Sequence, residues 1–289
     1  MDYISLIQNR KSARGFTDEI VTDAQFKEIR TYFETKCKRL FPEIRTELAL
    51  FSHTARRGLI NAAGYEMNMI GAPAYMLILT EKKEGAIINA TYMMEDMVLR
   101  LMEMGLGSCY ITFANGDHIK GTLELDTDLE VAAIIAFGQE ARLAKRIRFN
   151  FKTMAKIGIK EKRHYFDPKK KIEDMVFANT WGNAVDLDEQ VGFYDDILWE
   201  SFYAASLSPS YLNRQPYGFV LNGGKVTLVS IPDEFTDPIS EEQGLGIVML
   251  HFEAAAEQQA GHPFQWTMDA DAEGLALPEG YKAIATITV

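Results

Sequence analysis

The chain has 289 residues, 47% of them hydrophobic, with a formal net charge of −11 and a pI near 5.0. That length holds one large domain or two of ordinary size, and the composition supports a sizeable core and excludes general disorder. The acidic balance argues against broad binding to nucleic acid or to an anionic membrane.

Cys37 and Cys109 are the only cysteines, too few for a disulfide framework, and they fit a reducing cytoplasm. The first ten residues carry no basic n-region and no long apolar core, so a secretory signal is not expected. The longest mostly apolar run, Met69 to Leu79, is too short to span a bilayer. A soluble cytoplasmic protein is the expectation.

In chain order, Tyr3, Ile4, Leu6 and Ile7 predict a short amphipathic helix that stops near Gly15. Arg10 and Lys11 then suit the negative end of the helix dipole. A second reading stays open beside it. Arg10, Ser12 and Arg14 alternate, so an extended segment would turn all three to one side, where guanidinium forks and a hydroxyl suit a phosphate.

Thr22 to Glu28 has the pattern of a capped helix start, with the helix running to about Lys38. Residues 43–68 show no clear period. Ala72 to Thr80 reads as a strand entered through Pro73. Asn89 to Glu103 reads as a helix with a Met-rich core stripe, broken by Gly105-Leu-Gly107 before an extended run to Phe113. Val131 to Phe137 reads as a strand. The lysine-rich residues 156–171 read as a linker whose charge is mostly solvated.

After it the pattern restarts. A helix over 195–205 leads into a polar loop, Ser208 to Tyr217, followed by a strand over 218–221. Gly223-Gly224 predicts a hairpin into Lys225 to Ile231. A helix over 246–259 is expected after Gly244-Leu-Gly246, and Tyr281 to Val289 alternates as a closing strand. Strands 74–79 and 218–221, the two Met- and Ala-rich helices, and the closing strands 131–137 and 281–289 look like diverged counterparts. The expected fold is α+β, an internal duplication with halves at 1–160 and 161–289.

The polar loop is the densest run of short hydrogen-bonding side chains. Pro209 and Pro216 fix φ and bias Ser208 and Gln215 towards extended backbone. Ser210, Asn213 and Gln215 both donate and accept, which suits a ligand rich in oxygens and ring nitrogens. An ordinary helix-to-strand turn has the same composition.

Several chemistries have no support. Neither Gly-Leu-Gly completes G-x-G-x-x-G, and there is no Walker motif, no H-E-x-x-H and no G-x-S-x-G. His53, His118, His164, His251 and His262 are scattered without ligand spacing, so no metal site is expected.

Taken together, four segments resemble the nitroreductase family of FMN-dependent oxidoreductases. Arg10-Lys-Ser-Ala-Arg-Gly-Phe16 looks like that family's R-x-S-x-R-x-F. Ala72-Pro73 precedes a strand as it does there. Met104 to Ile111 follows a helix. Pro209 to Tyr217 looks like P-S-x-x-N-x-Q-P-W with Tyr for Trp. The resemblance implies that each flavin uses the first motif from one subunit and the last from the other. Here the two motifs sit in opposite halves of one chain, and Asn61 to Met67, read as the first half's counterpart of the loop, has no Pro-Ser pair. The resemblance therefore implies a fused pseudo-dimer with one intact flavin site and one decayed site, monomeric by default.

By the same resemblance Arg10, Ser12 and Arg148 would hold the FMN phosphate, with Lys11 in the same motif. Arg14 would lie near the ribityl and pyrimidine oxygens and stabilise charge on the reduced ring. Tyr110 and Ile111 would pack near the ring, and the Thr112 backbone N–H would face flavin N5. Strand core is an equal account of these three residues. Pro209, Ser210, Tyr211 and Asn213 would line the ring from the other half, with Gln215 supporting the loop. The implied reaction passes hydride from NAD(P)H through FMN to a nitroaromatic- or quinone-type small molecule. The rival is a degenerate member that binds flavin, or acts as an interaction module, without turnover.

Overall fold

Helices and strands follow one another in two similar successions. The computed structural model describes residues 1–64, 69–141, 147–153, 156–161, 168–185, 196–268 and 270–289, with backbone pairing alone between 147 and 161. The first succession is α1 (Tyr3–Asn9), α2 (Asp23–Thr35), β1 (Thr46–Ser52), α3 (Arg56–Leu59), β2 (Ala74–Thr80), α4 (Ala86–Glu103), β3 (Gly107–Ile111), α5 (Gly116–Thr122) and β4 (Glu130–Gly138). A hairpin of β5 (Ile147–Thr153) and β6 (Lys156–Glu161) comes next. The second succession is β7 (Val176–Ala178), α6 (Asp196–Ser206), β8 (Tyr217–Asn222), β9 (Lys225–Ser230), α7 (Pro238–Ala260) and β10 (Lys282–Thr288).

Two four-stranded sheets result, ordered β1-β2-β4-β3 and β10-β9-β8-β7. All pairings are antiparallel except β7 with β8. β2 and β4 are buried along nearly their whole length, which is why they read as unbroken apolar runs. The fold is α+β, and its two halves share a plan. In each, a helix leads through a loop to two adjacent antiparallel strands, a long buried helix and a closing strand. That matches α2-β1-β2-α4-β4 to α6-β8-β9-α7-β10.

Among the described residues, α4 and α7 make the most extensive helix–helix contact. Both are apolar on most faces, and burial between two sheets is the environment that suits such helices. They cross at Gly246, where an added Cβ would lie 2.2 Å from the Ile88 carbonyl oxygen and 2.3 Å from Thr91 Oγ1. Both helices end at a left-handed glycine, Gly105 (φ 78°) and Gly261 (φ 74°).

This topology corrects three expectations. β2 corresponds to β9, not to the strand at 218–221, because each precedes its half's long helix. The first half's counterpart of the polar loop is the segment between α2 and β1, residues 36–45, not 61–67. Residues 65–67 lie outside the described residues. Finally, Gly244-Leu-Gly246 lies inside α7 instead of preceding it. Asp237 caps that helix by accepting from Ser240 N–H, and Pro238 occupies its first turn. The glycine serves the crossing, not a helix start.

The expected boundary at 160/161 falls at the end of β6. The first sheet closes at Gly138 and the second opens at Val176. No helix among the described residues is long and apolar enough to cross a membrane.

Candidate functional site

Arg10 ends α1 in extended backbone. Ser12 bridges Ser108 in parallel, and Ala13 N–H donates to the Ser108 carbonyl at 2.8 Å, so the segment joins the free edge of β3. The approach depends on Gly107, where a Cβ would stand 2.9 Å from that of Ala13. Ala13 faces inward at 2% exposure. Lys11 pairs with Glu140 at 2.9 Å on an exposed face. Burial pushes the Cys109 thiol up, and the nearby Arg14 and Arg10 pull it the other way. A concavity of about 710 Å³ opens on the Lys11 side and is lined by Asn9, Gly107 and Glu140.

Arg10 leads to a buried polar cluster. Its side chain is 7% exposed, with Nε 3.6 Å from Glu95 Oε1 on α4. Glu95 is fully buried. It accepts from the Tyr110 hydroxyl at 2.9 Å and meets His251 Nε2 of α7 at 2.9 Å. Burial works against the charged carboxylate, yet Arg10, His251 and Tyr110 together hold it below the usual carboxylate range. His251 Nδ1 lies 3.1 Å from the Ala204 carbonyl in the last turn of α6.

That last turn runs straight into the polar loop, whose backbone is unusual. Leu212, Asn213 and Gln215 have φ of 48°, 60° and 47°. Such angles in non-glycine residues need surrounding contacts to enforce them. Gln215 supplies these from its buried amide. Nε2 donates to Ser206 O at 2.7 Å, Oε1 accepts from Lys170 N–H at 2.9 Å, and the backbone carbonyl accepts from Lys170 Nζ at 2.6 Å. Its backbone N–H donates to Ser210 Oγ at 2.8 Å. The extended backbone expected before Pro216 is overridden by these four bonds, and the loop is rigid for a different reason than its prolines.

Lys169 belongs to the second half, with Arg10 of the first near enough to act on its charge. Much of the lysine's surface is exposed, but its ammonium turns inward and donates to the Ser208 carbonyl. Burial of that ammonium and the nearby Arg10 guanidinium push it down to about 7, with Glu95 pulling the other way. Ser208 is fully buried. Ser208 Oγ and Arg10 Nε are two of four side-chain atoms among the described residues, with Arg100 Nε and Glu200 Oε2, that are buried without a hydrogen-bond partner. The Tyr217 hydroxyl is near Ser208 but outside bonding geometry.

The sequence-predicted residues divide accordingly. Arg10 is turned in towards Glu95, Ser12 is half-buried beside β3, and Arg14 is exposed with contacts of its own. Pro209, Ser210, Tyr211 and Asn213 are half-buried on the loop. The Ser210 hydroxyl is used within the loop, and Tyr211 and Asn213 are engaged. Gln215 braces the loop from inside. The Tyr110 hydroxyl is committed to Glu95, Ile111 is core, and the Thr112 carbonyl accepts from Gly64 N–H at 2.7 Å. Arg148 stands on β5, whose side chains lie outside the described residues.

Lys169, Glu95 and His251 were not foreseen. Lys169 hides in a lysine run that reads as solvated. For Glu95 and His251 a signal existed, since each interrupts an apolar helix, and a buried charge or imidazole needs a partner. No group of three or more His, Cys, Asp or Glu among the described residues could hold a metal ion.

A family model described as "Putative TM nitroreductase" matches residues 2–256. The structure of a putative nitroreductase from Thermotoga maritima superposes with a TM-score of 0.61 at 17% identity, covering 100% of this chain and 94% of that one, and shares its fold. An FMN-dependent nitroreductase from Clostridium difficile matches 49% of this chain and 89% of its own at 19% identity, with a TM-score of 0.41. A nitroreductase family protein from Streptococcus pneumoniae matches 52% of this chain and 96% of its own at 16% identity, with a TM-score of 0.42. No curated protein matches the chain.

Proposed function

Because this chain belongs to the nitroreductase family, whose model spans residues 2–256, we propose that it is an FMN-dependent oxidoreductase with one flavin site, formed between its two halves. The observation that carries this reading is the gathering of Arg10 from the first half, near enough to lower the Lys169 ammonium, with Lys169 and Ser208 from the second, where the Ser208 hydroxyl is buried without a hydrogen-bond partner. Buried polar atoms without partners cost free energy, and a ligand that engages them recovers it. A phosphate monoester suits that donor set, so the residues present fit FMN.

In this reading Arg10, Ser12 and Lys169 hold the phosphate, and Arg148 belongs to the same group. Arg14 lies towards the ribityl and pyrimidine oxygens, where fixed positive charge favours the reduced ring. The segment Tyr110 to Thr112 lines one wall and Pro209 to Asn213 the other, with Gln215 keeping the second wall rigid. Lys11 takes the rim, on its ion pair with Glu140. Bound FMN would supply the hydride relay from NAD(P)H to a nitroaromatic- or quinone-type acceptor, and the protein needs no nucleophile of its own for this.

The test is anaerobic mixing of FMN-loaded protein with NADH or NADPH. The yellow absorbance should bleach with one donor and return when a quinone or nitroaromatic is added. Flavin that stays oxidised with both donors contradicts the reductase reading and leaves a flavin-binding module.

A further inference from the structure

Glu95 and His251 sit 156 residues apart and touch where α4 crosses α7. The terminal glycines Gly105 and Gly261 stand at the same offset. The pair therefore stands at like distances from the left-handed glycines that follow α4 and α7. A duplicated helix pair would place like residues here, but a carboxylate now faces an imidazole.

The contacts at either end give the pair a role. Glu95 Oε1 faces Arg10 Nε at 3.6 Å, at the start of the first half's anion motif. His251 Nδ1 faces the Ala204 carbonyl at 3.1 Å, four residues before Ser208 in the second half. The charged or titratable groups facing the pair include Arg10 from the end of α1, Tyr110 from β3, Lys169 from the segment before β7 and Tyr217 from β8. Both ring nitrogens of His251 face oxygen atoms, a carboxylate's and a carbonyl's.

We propose that Glu95 and His251 are positioning residues, a tether that fixes Arg10 of one half against the end of α6 that carries the polar loop of the other. The inference rests on the flavin reading for its consequence but not for its geometry. Glu95 aims the guanidinium, and His251 anchors Glu95 to the opposite wall. The spacing of the two walls, and so the fit of the ligand between them, then depends on a contact deep in the interior.

A double-mutant cycle on FMN affinity, read by quenching of flavin fluorescence, tests this. Glu95→Gln should weaken FMN binding about tenfold in the unaltered chain. In an Arg10→Gln background it should change affinity less than about twofold, because the group it aims is gone. Equal losses in both backgrounds, or no loss in either, would overturn the proposal. Should Glu95→Gln fail to fold, Glu95→Asp, which keeps the charge but withdraws it from its partners, runs the same cycle.

Nitrogen-15 spectra of the flavin-free chain give a second readout. The His251 Nε2 resonance should shift in Glu95→Gln. An Nε2 resonance that does not respond to that substitution contradicts the tether. Failure of the unaltered chain to bind FMN would defeat the reductase reading, and the ring nitrogens would still decide the tether.

Discussion

Lys169 is the residue on which the chemistry of the cleft is most exposed to measurement. Its ammonium is held down to about 7 by burial and by Arg10. A phosphate dianion placed beside it would favour the charged form and raise that value. The sign follows from linkage. Below about pH 7 the ammonium is already charged, and FMN affinity is at its full value. Above that, binding must draw a proton onto Lys169, so affinity falls as pH rises towards the ligand-bound value. FMN titrations from pH 7 to 9 should show this fall, and Lys169→Met should flatten it while lowering affinity throughout. An affinity that is level over this range would separate Lys169 from the ligand. The residue was illegible in the sequence because five of the ten residues 162–171 are Lys or Arg. Nothing local marks which of them turns inward.

At the scale of elements, the crossing of α4 and α7 sets the geometry of both halves. Gly246 permits it. Gly246→Ala would drive a methyl into the Ile88 carbonyl and should destabilise the chain by about 3 kcal/mol or more, measured by urea unfolding. The expectation that this glycine opened a helix failed because Gly near a helix start is a weak signal. Asp237-Pro238, a cap followed by a first-turn proline, was the stronger one.

The same interface holds Glu253, which accepts from the Tyr92 hydroxyl at 2.6 Å and faces Lys38 at 3.6 Å. Burial raises it to about 7, against the pull of Tyr92 and Lys38. A raised carboxyl contributes stability that is full below the unfolded value near 4.5 and is lost as pH climbs through about 7. Unfolding free energy should therefore carry a falling component between those limits, with a slope of up to about 1.4 kcal/mol per pH unit. Glu253→Gln should remove it.

For the molecule as a whole, the sequence conveyed the plan better than the joints. Capped helices, the Gly223-Gly224 hairpin and the buried strands follow local rules and were legible. The correspondence of the halves was visible but misaligned, because the loop of the first half diverged most. Residues 36–45 now hold Lys38 against Glu253 and Glu257, which fills the position equivalent to the intact loop with an ion network. The pairing of Glu95 with His251 depends on contact across 156 residues, which no local period records.

The account depends on one anion-holding cleft shared by unlike halves. Titration of the flavin-free chain with FMN, followed by absorbance and by the protein's own mass in solution, tests it directly. It predicts saturation at one FMN per single chain, with loss of binding in Arg10→Glu. No saturable binding, two flavins per chain, or a site that survives Arg10→Glu would contradict it.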